Sequence, residues 1–295
     1  MKGRTETYRF GGAWTRLKLA NLFKYLQAWR KIFDKNEQAK WFQTEYVDAF
    51  AGAGSWSDSG DVPGLAPTLF DDVPPYAADG SASLALKIEP PFHRYLFIES
   101  SLKRYRSLLR LRNSEPGLAD RIQVERGDAN RILTDWCESR DWKRTRAVVF
   151  LDPHGAEVLW STVAALAQTG GVDLWYLFPA GIGISRMLPH TGPPKDEWAR
   201  KLTALLGTEG WREVFYQERA CEGLFGPQSE LERTADPQRI MDFIVARLKT
   251  VFVEVAPPKV LRNSNNSPMY LLCFAASNAR GAPTAVRIAR DLLEK

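Results

Sequence analysis

Five short apolar runs, each leading into a stretch of helical periodicity, restrict the fold of this 295-residue chain more than any other feature. The runs are "EYVDAF" (45–50), "RYLFIE" (94–99), "IQVERGD" (122–128), "RAVVFLD" (146–152) and "VDLWYLF" (172–178). Between them stand "SASLALKI", opened by Ser81, then "SLKRYRSLLRLR", "ANRILTDWCES" and "WSTVAALAQT". A strand with one wet face alternates apolar and polar residues, whereas a continuous apolar run needs cover on both faces. Such strands separated by helices require a parallel sheet sandwiched between helical layers. Residues 41–180 therefore read as a doubly wound, mostly parallel α/β core inside a 41–295 domain.

Three regions depart from that rhythm. From Trp14 to Phe33 the residues Leu19, Leu22, Phe23, Leu26, Trp29 and Phe33 recur at helical spacing, with Arg16, Lys24, Lys31 and Lys35 on another side. Residues 55–80, rich in Gly, Pro and Asp, replace a tight strand-to-helix turn, and long insertions beside ligand loops usually serve function. Residues 185–250 look helical and are expected to form a cap. "VFVEVA", "NSNNSP" and "MYLLCFAAS" then read as two strands around a turn, so the sheet is expected to close on an antiparallel strand.

Charge is unevenly placed. Residues 1–40 hold ten Lys/Arg against three Asp/Glu, while the other residues hold 30 against 32. A basic N-terminal segment of this kind suits a nucleic-acid partner at Arg16, Lys24, Lys31 and Lys35, and it equally suits a solvated helix face. The clusters Lys103–Arg112 and Arg140–Arg146 extend the first reading. No apolar run reaches the length of a membrane span, and the first residues lack a secretory core. Cys137, Cys221 and Cys273 are isolated, and His93, His154 and His190 are dispersed, so no disulfide framework or metal site is expected. A cytoplasmic setting is the expectation.

The chemistry is sought at the carboxyl ends of the strands, where open α/β sheets bind ligands. In "YVDAFAGAGSW" the residues Phe50, Gly52 and Gly54 follow Asp48, and glycine lets backbone curl against a ligand. A dinucleotide loop would place a third glycine near Ser57, which follows bulky Trp56. An acid at Asp48 suits a cationic ligand group, such as the ammonium of S-adenosylmethionine. Glu99 closes the second run, where a carboxylate can accept both ribose hydroxyls. Asp128, beside Ala129, closes the third, where it can accept from an adenine amino group. Plainer roles stand beside these: a solvated strand end for Glu99 and a helix N-cap for Asp128.

"LDPHG" ends the fourth run. Together with "YVDAFAGAGSW" it resembles the class I S-adenosylmethionine-dependent methyltransferases, of Rossmann-like fold, especially those that methylate exocyclic base amines. The resemblance implies that Asp152 accepts hydrogens from the target amine and that Pro153 is the first proline of an Asp-Pro-Pro-aromatic motif. His154 stands where the second proline is expected, where its imidazole can stack in place of the missing ring, and Gly155 stands where the aromatic is expected. A strand-ending turn at Asp152-Pro153 is the plain alternative. The order "LANLFKYLQAWRKIF … GSASLAL … YLFIES … GDAN … VVFLDPHGAEVLWSTV … DLWYLFPAGIGISRML … WREVFY" is similar, over nearly the whole chain, to the three-Cys-motif partner protein family. That resemblance implies a bacterial protein with a methyltransferase-like core, an S-adenosylmethionine site and a partner protein bearing the cysteines. It also leaves a second role open, a binding subunit without catalysis. Phe178-Pro179 can wall a target pocket or belong to the core.

Overall fold

A computed structural model describes the backbone of residues 13–54, 80–223, 226–263 and 265–294. Most of the 55–80 insertion and the first twelve residues lie outside these described residues. Helix α1 (Ala13–Lys35) leads into strand β1 (Gln43–Asp48). Then α2 (Ser81–Leu86), β2 (Arg94–Glu99), α3 (Leu102–Ser114), β3 (Ile122–Arg126), α4 (Ala129–Glu138), β4 (Thr145–Leu151), α5 (Trp160–Gln168) and β5 (Val172–Phe178) alternate. Past a π-helical turn at Ala180–Ile184 come α6 (Ser185–Met187), α7 (Asp196–Leu206) and α8 (Trp211–Phe215). A hairpin of β6 (Tyr216–Gly223) and β7 (Gly226–Arg233) precedes α9 (Pro237–Lys249). The described residues close with β8 (Glu254–Val255), β9 (Lys259–Arg262), β10 (Pro268–Ala276) and α10 (Ala282–Leu293).

The main sheet runs β3-β2-β1-β4-β5-β10-β8, with β9 also paired to β10. The first five strands are parallel, and β10 lies antiparallel to β5 through pairs such as Cys273 with Tyr176. This is the doubly wound, mostly parallel sheet that the alternation implied, closed by an antiparallel strand as expected. Side chains divide with period two between two cores. Val149, Leu151, Leu174 and Tyr176 pack under α4, α5 and the cap helices, while Val148, Phe150, Trp175 and Leu177 pack under α1, α2, α3 and α10. Both faces are covered, which is why the strands read as unbroken apolar runs.

The region 185–250 is helical at both ends but contains the β6–β7 hairpin. Glu218 and Arg219 are exposed, and Arg219 meets Glu232 across the ladder at 3.4 Å. With charge on its outer positions, the segment offers no apolar period that would distinguish strand from helix.

Helix α1 lies antiparallel to the strands. Leu22, Tyr25 and Leu26 face the sheet at 1 % exposure or less. Near the amino end of β5, Asp173 accepts from Tyr25 Oη at 2.7 Å and from Trp29 Nε1 at 2.8 Å. Eleven residues earlier, about 16 Å along the helix, Lys18 reaches the opposite edge of the sheet. One helix thus connects the two edges.

Candidate functional site

Strand order reverses between β1 and β4, the place where open α/β sheets form a ligand crevice. Asp48 ends β1 there, paired with Phe97 of β2 and Phe150 of β4. Asp152 stands two residues beyond Phe150, so two carboxylates flank the reversal. Asp48 is fully buried. It accepts from the Ser81 side chain, and at longer range from Tyr46 Oη at 3.5 Å and the Phe50 amide at 3.3 Å. Burial pushes its pKa up to about 7, and the charge of Asp152 adds to that; the Ser81 side chain, the Phe50 amide and the charge of Lys18 work the other way.

Asp152, with 23 % of its side chain exposed, accepts a short charge-assisted hydrogen bond from Lys18 Nζ. Lys18 is buried, a costly place for an ammonium unless it is paired. Its Nζ also lies 5.1 Å from the ring centroid of Trp14. Trp14 in turn packs on Tyr270 of β10 at 5.2 Å. Burial and the nearby Asp152 charge raise the Tyr270 pKa, opposed by Arg186. Asn21, one helical turn past Lys18, is buried, and its amide nitrogen has no hydrogen-bond partner among the described residues.

The loop after β1 is built around two left-handed glycines, Gly52 at φ 64° and Gly54 at φ 78°. A Cβ on Gly54 would come within 2.8 Å of Leu111 Cδ2, so that glycine serves packing. A Cβ on Gly52 would meet nothing within 4 Å, which leaves its backbone open on that side. Phe50 is half-buried against the core.

The remaining expected site residues are placed as follows. Glu99 ends β2, buried, and accepts from the Ser101 amide at 2.8 Å and from Arg104 at 3.0 Å. Asp128 is exposed and caps α4 through the Arg131 amide at 2.9 Å, the plainer of its two roles; Ala129 is buried in the first turn. Pro153 is buried, and His154 is exposed in the turn that follows. Phe178 is fully buried in the core. On α1, Lys24, Lys31 and Lys35 are exposed and Arg16 is half-buried. Arg140 chelates Glu45 at 3.0 Å, and Arg146 donates to the Trp142 carbonyl at 2.7 Å and lies over Phe42. Those two arginines are therefore structural and do not extend a phosphate track. Among the described residues there is no metal-binding cluster of His, Cys, Asp and Glu, and no helix is long and apolar enough to cross a membrane.

Lys18, Trp14 and Tyr270 were missed in the sequence. The signal was present: Lys18, Leu22, Tyr25 and Trp29 follow a 4-3-4 spacing, which places the lysine on the inward stripe.

No family model and no curated protein matches the chain. A solved structure from Legionella pneumophila, protein LPL1258 of family model DUF519, is similar at 12% identity with a TM-score of 0.52, covering 96% of this chain and 92% of that one. Likeness at that identity shows the shared fold. The CcbJ methyltransferase from Streptomyces caelestis matches at 11% identity and TM-score 0.35, over 92% of this chain and 100% of that one. The N-terminal domain of EvdMO1, solved in the presence of SAH and D-fucose, matches at 12% identity and TM-score 0.35, over 94% and 88%. None of these comparisons names the three-Cys-motif partner family.

Proposed function

We propose that the chain is an S-adenosylmethionine-dependent methyltransferase whose acceptor is an amine, held at Asp152, on a base of a nucleic acid. The observation that carries this reading is the convergence of Asp48 and Asp152 on the strand-order reversal, with one lysine between two carboxylates. The donor set fits a sulfonium ligand. Two acids supply negative potential, and the open side of Gly52 leaves backbone for close approach. Glu99 ends β2 and Asp128 lies two residues past β3, within the same row of loops. Asp48, Glu99 and the open backbone at Gly52 would hold the cofactor, which would supply an electrophilic methyl group to the nitrogen lone pair of the acceptor.

The protein contributes alignment and electrostatics, which is most of what such a transfer needs. Asp152 accepts a hydrogen bond from the acceptor amine and so aims its lone pair. As positive charge grows on nitrogen, the carboxylate stabilises it, and the surplus proton leaves to water past the exposed part of Asp152. Exposed Lys24, Lys31 and Lys35 on α1, with Lys103 and Arg106 on α3, provide a phosphate-binding surface whose affinity falls as salt rises.

Tritiated methyl transfer from S-adenosylmethionine to total nucleic acid tests this reading. Incorporation that falls at least a hundredfold in Asp152→Ala supports it, and absence of transfer to any nucleic acid overturns it. The engaged Lys18–Asp152 pair favours one other reading, a binding subunit that assists a partner enzyme. Calorimetry separates the two: tight S-adenosylmethionine binding that disappears in Asp48→Ala favours the enzyme, whereas no binding favours the subunit.

A further inference from the structure

The motif expected at β4 lacks its aromatic, because Gly155 stands in that place. An amine held at Asp152 therefore lacks the ring that the motif would supply, and the loop offers only the exposed His154 beside it. The fold brings rings to the same carboxylate from two distant segments. Trp14 enters from the first turn of α1 and Tyr270 from β10, and they pack on each other at 5.2 Å. Lys18 Nζ sits against both the Trp14 ring and the Asp152 carboxylate. An amine bounded by a ring and a carboxylate is the arrangement an acceptor amine requires, and here a side chain of the protein occupies it. Arg186, exposed and close enough to Tyr270 to act on its phenol, makes no hydrogen bond or ion pair among the described residues.

We propose that Trp14 and Tyr270 replace the missing motif aromatic and, with Asp152, form a site for the exocyclic amine of a planar base, which Lys18 vacates when the base enters. This deepens the proposed function and rests on its assignment of Asp152 as the acceptor site. The ring face of Trp14 stacks on the base, and a base stacked on an aromatic loses about tenfold or more in affinity when the ring is removed. The Asp152 carboxylate accepts from an amino group and repels a carbonyl oxygen, so the site prefers cytosine over uracil, which differ at that position by NH₂ against O. Arg186, exposed and near Tyr270, can meet the phosphate of the same nucleotide.

Fluorescein-labelled 15-mers of oligocytidine and oligouridine, titrated into the full chain without cofactor, read the site by anisotropy. The expected result is at least tenfold tighter binding of oligocytidine. Trp14→Leu and Tyr270→Leu are each expected to remove most of that preference, whereas Trp14→Phe stays within about threefold of the parent because the ring is kept. Thermal melting of each variant checks that it folds. Equal affinity for the two oligomers, no binding of either, or a preference unchanged in Trp14→Leu overturns the proposal. Cofactor calorimetry on the same variants distinguishes the two levels. Parent protein that fails to bind S-adenosylmethionine sinks the proposed function, whereas retained cofactor binding with no base preference sinks only the aromatic site.

Discussion

Buried acids occupy both edges of the sheet, and Asp48 at the carboxyl edge is held differently from Glu45 and Asp173 at the amino edge, although its neighbour Glu99 is tied to Arg104 and the Ser101 amide. At the amino edge Glu45 accepts Trp136 Nε1 at 3.0 Å, both oxygens meet Arg140 Nε at 3.0 Å, and Arg94 adds a contact at 3.4 Å. Asp173, at the same edge, takes two good donors from α1. At the carboxyl edge Asp48 accepts from the Ser81 side chain and, at longer range, from Tyr46 and the Phe50 amide, while the one nearby ammonium, Lys18, is bonded to Asp152 and reaches Asp48 only through its charge. A fully satisfied acid ties elements together. An under-satisfied one keeps unspent affinity for a cation, which is the condition of a binding site.

The largest expected effect tests the structural half of that contrast. Glu45→Ala leaves Arg140 and Trp136 without their acceptor, and breaking a buried pair this way costs about 3 kcal/mol. Urea denaturation midpoints measure it. Cofactor affinity should be unchanged, because the site lies at the other edge; a loss of binding in folded Glu45→Ala would erase the distinction between the edges.

Acid titration comes next. Burial holds Asp48 up to about 7 and Asp173 up to about 6, against an ordinary carboxyl value of 3.8. A carboxyl whose folded pKa lies above its unfolded one contributes stability that is full below the unfolded value. That stability is lost as pH rises through the folded value. Stability is therefore expected to fall between pH 4 and pH 8, with Asp173 acting through about 6 and Asp48 through about 7. Asp48→Asn should remove the upper part of that fall, and a profile identical to the parent's would contradict the burial effect. Cofactor affinity should rise from pH 6 to pH 8 as Asp48 ionises.

How far the sequence anticipated this arrangement depends on which interaction is asked about. Strands β2 and β5 match "RYLFIE" and "VDLWYLF" residue for residue, because a doubly covered strand imposes a continuous apolar run. Asp48 and Asp152 were legible for a related reason: each ends such a run. The Lys18–Asp152 contact spans 134 positions, so no local pattern encodes it. Its partners Trp14 and Tyr270 are likewise joined only by the packing of α1 over β10. Strand β9 was missed because Pro257 and Pro258 interrupt the apolar pattern just before it. Asp128 shows the reverse limit, since a strand-end acid and an N-cap look identical in sequence.

The loop glycines sharpen the contrast at smaller cost. Gly52→Ala must hold a left-handed φ, which costs about 1 kcal/mol, but its Cβ meets no protein atom. If the open side of that backbone receives ligand, cofactor affinity should drop at least tenfold while the protein remains folded. Unchanged affinity would detach the β1 loop from the carboxyl-edge site.

The smallest expected effect is the most direct probe of unspent affinity. Asn21 carries a buried amide nitrogen with no partner among the described residues, one turn from Lys18. Removing an unsatisfied donor in favour of an apolar side chain of similar shape is close to neutral, so Asn21→Leu should stay within about 1 kcal/mol of the parent. At the amino edge the corresponding change, Trp29→Phe, strips a donor from Asp173 and should cost more in the same urea assay. Were the ranking reversed, with Asn21→Leu the more damaging, the carboxyl edge would be as fully tied as the amino edge, and its acids would be structural too.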